Sequence, residues 1–254
     1  MAGPKLTAYT PIFNEVFFAP LWLENVKQFA DEIVILDTGS TDGTLDILKS
    51  DDDERIKLLE YPHPVSSPFE WNEGHARNYG LEYCTGDYVL FTDSDEIVSD
   101  NFATRFEEIT ADGKINTFGF NFIYLWGDIR TMRMNGNGEE CWNIMLRRML
   151  KREHLSWRDQ RRHSPAAHIH PVGAYEDITI FHLHYGLGSR SKKNDNRWHE
   201  ISHPNPFGYT VDESVPRDYT ASGKLEVILQ PHGLELPNCI KRYERALDRK
   251  ADNK

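Results

Sequence analysis

Cysteine is scarce in this chain: its 254 residues include three, Cys84, Cys141 and Cys239, set far apart. An odd number at wide spacing excludes a disulfide framework and offers no zinc-site spacing, so they read as ordinary buried or free thiols. Long apolar runs are missing too. No stretch approaches the roughly 18 residues of a membrane-spanning helix, and the N-terminus lacks the basic and apolar regions of a signal peptide. The expectation is a cytoplasmic protein without a transmembrane segment, whose contact with a membrane would be peripheral. Positive charge is in deficit. The net charge of −11 disfavours indiscriminate binding to nucleic acid or anionic lipid. Neither G-x-x-x-x-G-K-[ST] nor G-x-G-x-x-G occurs, which disfavours a P-loop or a dinucleotide fold. Repeats and low-complexity tracts are absent. What is present suffices for a core, with 39% hydrophobic and 12% aromatic residues.

The first hundred residues alternate strand and helix. Leu6 to Thr10 reads as a strand stopped by Pro11, and Pro20 suits the first turn of a helix carrying Trp22, Val26, Phe29 and Ala30 at helical spacing. Glu32 to Leu36 is a continuous apolar strand of the kind that helices cover on both faces. It runs into Asp37-Thr38-Gly39-Ser40-Thr41-Asp42-Gly43-Thr44, a polar loop with two glycines for tight turns and three candidate caps for a helix ending near Ser50. The acids Asp51 to Glu54 are expected in solvent beyond that helix. Ile56 to Leu59 is a third strand. A helix from about Glu70 or Asn72 to Tyr83 should bury Ala76, Tyr79, Gly80 and Tyr83, leaving Arg77 off that face to pair with Glu73.

Tyr88 to Phe91 then forms a buried strand that delivers Asp93-Ser94-Asp95 at its tip. Alone, such a triplet is equally well a solvated acidic turn. Paired acids at a strand's carboxyl end also suit a divalent metal carrying a phosphorylated ligand, because hard oxygen ligands attract magnesium or manganese. The alternation predicts a doubly wound α/β protein that binds its ligand at the carboxyl ends of the strands. Polar loops at Asn14, Asp37 and Asp93 all lie there.

In the second half Asn116 to Leu125 is an aromatic-rich strand, followed by a glycine-rich loop at 135–138. Cys141 to Leu150 suggests another strand. Between Arg147 and Arg162 seven basic residues face only Glu153 and Asp159, which marks a solvated face or a surface for an anionic partner. Ile178 to Gly186 reads as a strand with His182 and His184 on one side. Arg190, Lys192 and Lys193 sit on a later loop, and Ile240, Tyr243 and Leu247 suggest a short terminal helix.

Four ordered pieces resemble the nucleotide-sugar glycosyltransferases of family 2: Thr10-Pro11-Ile12-Phe13-Asn14-Glu15, Ile33 to Thr44, Ala76-Arg77-Asn78-Tyr79-Gly80, and Gly86 to Asp95. The likeness covers about residues 5–98 well and thins afterwards. It implies the GT-A fold, a Rossmann-like, mostly parallel sheet flanked by helices, with a mixed acceptor-side C-terminal half. In that reading 1–254 is a single domain, with a nucleotide-binding half (1–98), an acceptor and metal-histidine half (99–223) and a C-terminal extension (224–254). The resemblance further implies that Thr10, Pro11, Phe13, Asn14, Glu15, Asp37, Gly39, Ser40, Arg77, Asp93 and Ser94 bind the nucleotide sugar. Asp95, with Asp93 and a late histidine, would hold Mn2+ or Mg2+; His184 is the choice and His182 the alternative. The implied reaction is inverting transfer from a nucleoside-diphosphate sugar, UDP-linked, to a hydroxyl acceptor. The basic stretch adds an acceptor bearing negative charge: glycan, lipid or nucleic acid. Family members often carry a His-Glu pair where this chain has His163 followed by Ser164, so the base is left among Asp159, Glu176 and Asp177. A nucleotidyltransferase and a catalytically degenerate nucleotide-sugar-binding module are the alternative readings.

Overall fold

The computed structural model describes residues 3–63, 72–126, 129–134, 145–159, 166–167, 169–185, 228–231 and 233–242. The chain divides into two compact units. The first comprises 1–121, 145–180 and 235–254, and the second 122–144 and 181–234.

In the first unit, β1 (Leu6–Ile12), α1 (Ala19–Val26), β2 (Glu32–Asp37), α2 (Thr44–Lys49), β3 (Ile56–Glu60), α3 (Glu73–Leu81) and β4 (Tyr88–Phe91) alternate as their patterns predict. The chain continues through β5 (Glu96–Val98), α4 (Phe102–Thr110), β6 (Thr117–Trp126), β7 (Thr131–Met134), β8 (Leu146–Lys151), β9 (Val172–Tyr185) and β10 (Ile228–Pro231). β4, β1, β2 and β3 are neighbours and parallel, while β8 runs antiparallel to both β4 and β6. β5 pairs with β9, and β6 and β9 each run on into the second unit. There, β7 pairs antiparallel with β6 at Leu125 and with β10 along Ile228–Pro231.

All six residues of β2 are buried, the outcome expected of an apolar strand covered on both faces. On one face Tyr9, Val34, Leu36, Val89 and Phe91 pack with Ala76 and Trp157. Gly80 makes this packing of α3 feasible, because a Cβ there would lie 2.3 Å from the Tyr9 hydroxyl. That hydroxyl donates to the Arg77 carbonyl at 3.0 Å, fixing the helix over β1.

Three expectations are corrected. β1 passes through Pro11 to Ile12. Its pairing with β4 ends at Tyr9, so the proline's missing N–H costs no ladder bond on that side, while Pro11 stays in register with Leu36 on the other. Asp51 and Asp53 are not simply solvated: Asp51 pairs with Lys27, and Asp53 with Arg55 at 2.7 Å. Tyr83 stays 39% exposed beyond the end of α3, whereas Arg77 is buried. The helix meets the sheet through Gly74, Ala76, Arg77 and Gly80, rotated toward its small residues.

The unit's lower edge is tied by Glu32. Its carboxylate accepts from the Thr7 hydroxyl at 2.5 Å, from the Thr85 N–H at 2.6 Å and hydroxyl at 2.8 Å, and from the Lys57 ammonium. Burial disfavours its charge, but Lys57, Thr7 and Thr85 outweigh that and hold the carboxyl at about 2, against an ordinary 4.5. A depressed folded value means that the stabilisation is complete above about pH 4.5 and is lost as pH falls toward 2. Glu32→Gln should therefore destabilise the fold by about 2 kcal/mol at pH 7. Urea unfolding should show the deficit narrowing as the pH drops below about 4.5. A deficit that stays constant down to pH 3 would assign the loss to shape rather than charge.

Candidate functional site

Parallel register brings three loops to one edge of the sheet. Ile12 is level with Asp37 and Tyr9 with Phe91, so β1, β2 and β4 finish side by side. The first two loops are knitted into one platform. The Thr38 N–H and hydroxyl both reach the Ile12 carbonyl, at 3.0 and 2.9 Å. Asn14, held at a φ of +55°, donates its N–H to the Ser40 hydroxyl at 2.8 Å and accepts the Thr41 N–H at 2.7 Å. The Glu15 N–H reaches the Thr44 hydroxyl at 2.9 Å, and the Val16 N–H reaches Asp42 at 3.2 Å. Burial disfavours charge on Asp42, but donors from Thr44 and Val16 outweigh it and lower its pKa.

Asparagine suits the left-handed conformation at position 14, and Gly43, at a φ of +94°, supplies the N-cap position of α2. Asp37, 2% exposed, turns its carboxylate onto the Gly39 and Ser40 N–H groups at 2.9 and 3.0 Å. Thr10 is buried, with its hydroxyl donating to the Pro11 carbonyl at 3.2 Å, while Pro11 and Phe13 are half-buried beside it.

The third loop is the acidic tip. The Trp22 indole N–H donates to the Thr92 hydroxyl at 2.7 Å, anchoring the end of β4. The next four residues form a turn closed reciprocally: the Glu96 N–H donates to the Asp93 carbonyl at 3.0 Å, and the Asp93 N–H to the Glu96 carboxylate at 3.1 Å. Ser94 is buried inside it, and Asp95 is half-buried.

Two arginines grip this turn. Arg77 of α3 donates to Glu73 at 2.8 Å and to Asp93 Oδ1 at 2.5 Å, with its guanidinium 5.8 Å from the Trp157 ring centre. Arg148 of β8 bonds Glu96, and the same nitrogen lies 3.9 Å from Asp93 Oδ2. The protein packed around Asp93 disfavours its charge, but Arg77 and Arg148 more than offset this and lower its pKa; Asp95 acts in the opposite direction.

The expected Glu73–Arg77 pair is thus present, as part of a bridge from the buried Arg77 to the acidic tip rather than as a surface pair. Glu96 and Arg148 were not singled out as site residues from sequence. Glu96 stands immediately after the acidic triplet, and Arg148 sits where the register with β6 shifts, Phe118 being level with Met149 and Gly119 with Arg147; it meets Glu96 while Arg147 is exposed, so the basic stretch is not one surface. Arg147, Arg152 and Arg158 are exposed, Lys151 donates to the Gly113 carbonyl at 2.6 Å, and Arg161 and Arg162 lie outside the described residues.

Among the base candidates, Asp159 accepts from Asn72, the N-cap residue of α3. Its segment is clamped to that helix, because Asn78 accepts the Trp157 N–H at 2.8 Å and donates to the Trp157 carbonyl at 2.7 Å. Asp177 accepts from Arg105 of α4 at 2.7 Å, and Glu176 is exposed. In the second unit, His182 packs against Phe122 and Tyr124. The side chain of His184 lies outside the described residues, as do 135–138, Arg190, Lys192, Lys193, Tyr243 and Leu247. No group of three or more His, Cys, Asp or Glu side chains able to hold a metal occurs among the described residues. No described helix is long and apolar enough to cross a membrane.

The pattern of the family described as Glycosyl transferase family 2 matches residues 7–167. The SPbeta prophage-derived glycosyltransferase SunS of Bacillus subtilis is 34% identical over 97 residues, covering 38% of this chain and 21% of that protein. The GalNAc(5)-diNAcBac-PP-undecaprenol beta-1,3-glucosyltransferase of Campylobacter jejuni is 27% identical over 143 residues, 54% of this chain and 44% of that one. The chain therefore spans less than half the length of both relatives. In fold it is similar to the TarS 1–349 fragment of S. aureus, solved in complex with UDP, with a TM-score of 0.51 at 13% identity over 83% of this chain and 76% of that one.

Arg77→Met would leave Glu73 and Asp93 without their shared cation. The expected loss is about 3 kcal/mol, while Arg77→Lys, which keeps the charge but not the planar fork, should lose less. Urea denaturation of both variants measures this, and a parent-like midpoint for Arg77→Met would show that the bridge is dispensable.

Proposed function

The chain belongs to glycosyl transferase family 2, and from that premise we propose that it is a metal-dependent, inverting transferase moving a sugar from a UDP-linked donor to a hydroxyl acceptor. The observation that carries this reading is the acidic tip braced by Arg77 and Arg148 beside the knitted Asn14 and Asp37 loops. Four carboxylates (Glu73, Asp93, Asp95 and Glu96) meet two guanidiniums there, a formal net charge of −2. That balance suits a divalent cation bearing a diphosphate.

The donor set fits manganese or magnesium, because it consists of carboxylate oxygens and the diphosphate would complete it. Asp95 would hold the ion, with Asp93 beside it already shared between two arginines. When bound, the metal neutralises charge on the departing diphosphate. The residues of the chain supply the rest. The Thr10 to Glu15 loop and Asp37 would receive the nucleotide base, and their mutual hydrogen bonds hold that surface ready before the donor arrives. Gly39, Ser40 and Ser94 would complete this wall, and Arg77 would lie by the nucleotide.

We assign Asp159 the role of general base, accepting the acceptor hydroxyl's proton as the sugar carbon is attacked from the face opposite the nucleotide. The clamp between Trp157 and Asn78 supports this choice over Glu176 and Asp177, since it ties the Asp159 segment to the helix that carries Arg77. The exposed Arg147 and Arg158 favour an acceptor bearing negative charge. The Campylobacter relative is named for GalNAc(5)-diNAcBac-PP-undecaprenol, whose PP group is anionic, which is consistent with such an acceptor.

With Mn2+ and a panel of UDP-sugars, the protein should release UDP. Asp95→Ala should lower that turnover by roughly 100-fold or more, and Asp159→Asn by roughly 100-fold with donor binding retained. Parent-like, manganese-dependent turnover in Asp95→Ala would sink the metal assignment. Pyrophosphate release from a nucleoside triphosphate would point to a nucleotidyltransferase instead, and donor binding without turnover across an acceptor panel to a binding module.

A further inference from the structure

Glu96 is 2% exposed, and a buried carboxylate is tolerated only when hydrogen-bonded and answered by opposite charge. One of its oxygens takes the Asp93 N–H at 3.1 Å and closes the turn, while the other takes the Arg148 guanidinium. The nitrogen that Arg148 gives to Glu96 also lies 3.9 Å from Asp93 Oδ2, on the side of that carboxylate away from Arg77. Asp93 is therefore hydrogen-bonded through Oδ1 to Arg77 of α3 and forms a longer ion pair through Oδ2 with Arg148 of β8.

Arg148 reaches this point because β8 pairs with β4, Met149 opposite Leu90, which lays its guanidinium 6.0 Å from the Phe91 ring centre. Stability alone does not explain such a device. Buried ion pairs are commonly replaced by packed apolar groups without loss, so their particular product is orientation.

We propose that Arg148 is a positioning residue: acting through Glu96 and Asp93, it fixes the turn that carries Asp95 and thereby sets the affinity for a divalent cation bearing a nucleoside diphosphate. This rests on the transferase reading above. Arginine suits the task because its planar guanidinium stays charged inside a protein and is held in one orientation, whereas lysine presents a flexible point charge that loses its proton more readily when buried.

The double variant Arg148→Met, Glu96→Gln tests the proposal cleanly. It removes one cation and one anion, so the formal charge of the tip is unchanged and any change in metal affinity reports position. Mn2+ binding would be followed by the electron paramagnetic resonance signal of the free ion, with and without UDP, alongside UDP binding in the absence of metal. The expected result is Mn2+ affinity in the presence of UDP reduced by about 10-fold or more, with metal-free UDP affinity changed by less than about threefold. In the metal-free protein the Asp93 amide should exchange its hydrogen at least about 10-fold faster, while the β1 amides keep the parent rate.

A folded double variant with parent-like Mn2+ affinity overturns the proposal, whatever its thermal stability. If the double variant does not fold, Arg148→Lys decides: affinity weakened by about threefold or more supports the proposal, and an unchanged value overturns it. Should the parent protein itself fail to bind Mn2+ with UDP, the transferase reading fails and the positioning role falls with it.

Discussion

A guanidinium shut inside a protein has to be met by anions, and the burial of Arg77 organises the described end of the sheet. Its cation is shared between Glu73, one turn back on its own helix, and Asp93, at the end of β4. The bridge therefore ties the orientation of α3 to the tip of the strand that carries the acids. Gly80 lets the helix lie close enough for the bridge to form, and the Tyr9 hydroxyl holds the Arg77 carbonyl so that the side chain starts from a fixed point. Trp157, lying edge-on to Phe91 and beneath the guanidinium, closes the apolar side of the same arrangement.

The neighbouring platform is built on another principle. Between the Asn14 and Asp42 loops the contacts are neutral or singly charged hydrogen bonds, many of them from backbone N–H groups. Each is worth only about 1 kcal/mol, but together they specify a surface rather than merely stabilise one. Asp37 shows the distinction. Its carboxylate is spent largely on Gly39 and Ser40, so it shapes the loop's backbone, and only Oδ1, with a single long contact of 3.4 Å, retains acceptor capacity for a ligand.

The alternating elements of the first hundred residues were legible because continuous apolar runs and glycine-bearing polar loops leave little choice of period. The three loops of the site were legible for the same reason, as each follows a strand. What sequence reasoning missed is tertiary. Tyr79 and Tyr83 suggested a broad apolar stripe on α3, but the helix settles on its small residues, and Arg77 goes inward because Asp93 waits there. No helical periodicity contains that fact. Arg148 was hidden inside a run of basic residues whose net charge implied a surface. Only the pairing of β8 with β4 shows that one of the run turns toward Glu96. Asp51 and Asp53 likewise read as solvated acids until Lys27 and Arg55 are brought to them by the fold.

These misses share a cause that bears on function. Charge is cheap in water and costly inside, so a sequence that buries Arg77 and Glu96 at one strand tip, with Arg148 and Asp93 partly covered beside them, has given up the simpler apolar solution. An apolar tip would fold as well, but it would present no field. The tip built here holds its carboxylates in fixed directions, so a cation bound there as proposed would find ligands that need not be reordered. Glu96 and Arg148 make the turn rigid from below and Arg77 from the side, while Asp95 occupies the middle of that braced segment. The desolvation that this network costs the fold is thus the counterpart of the order it confers on the site.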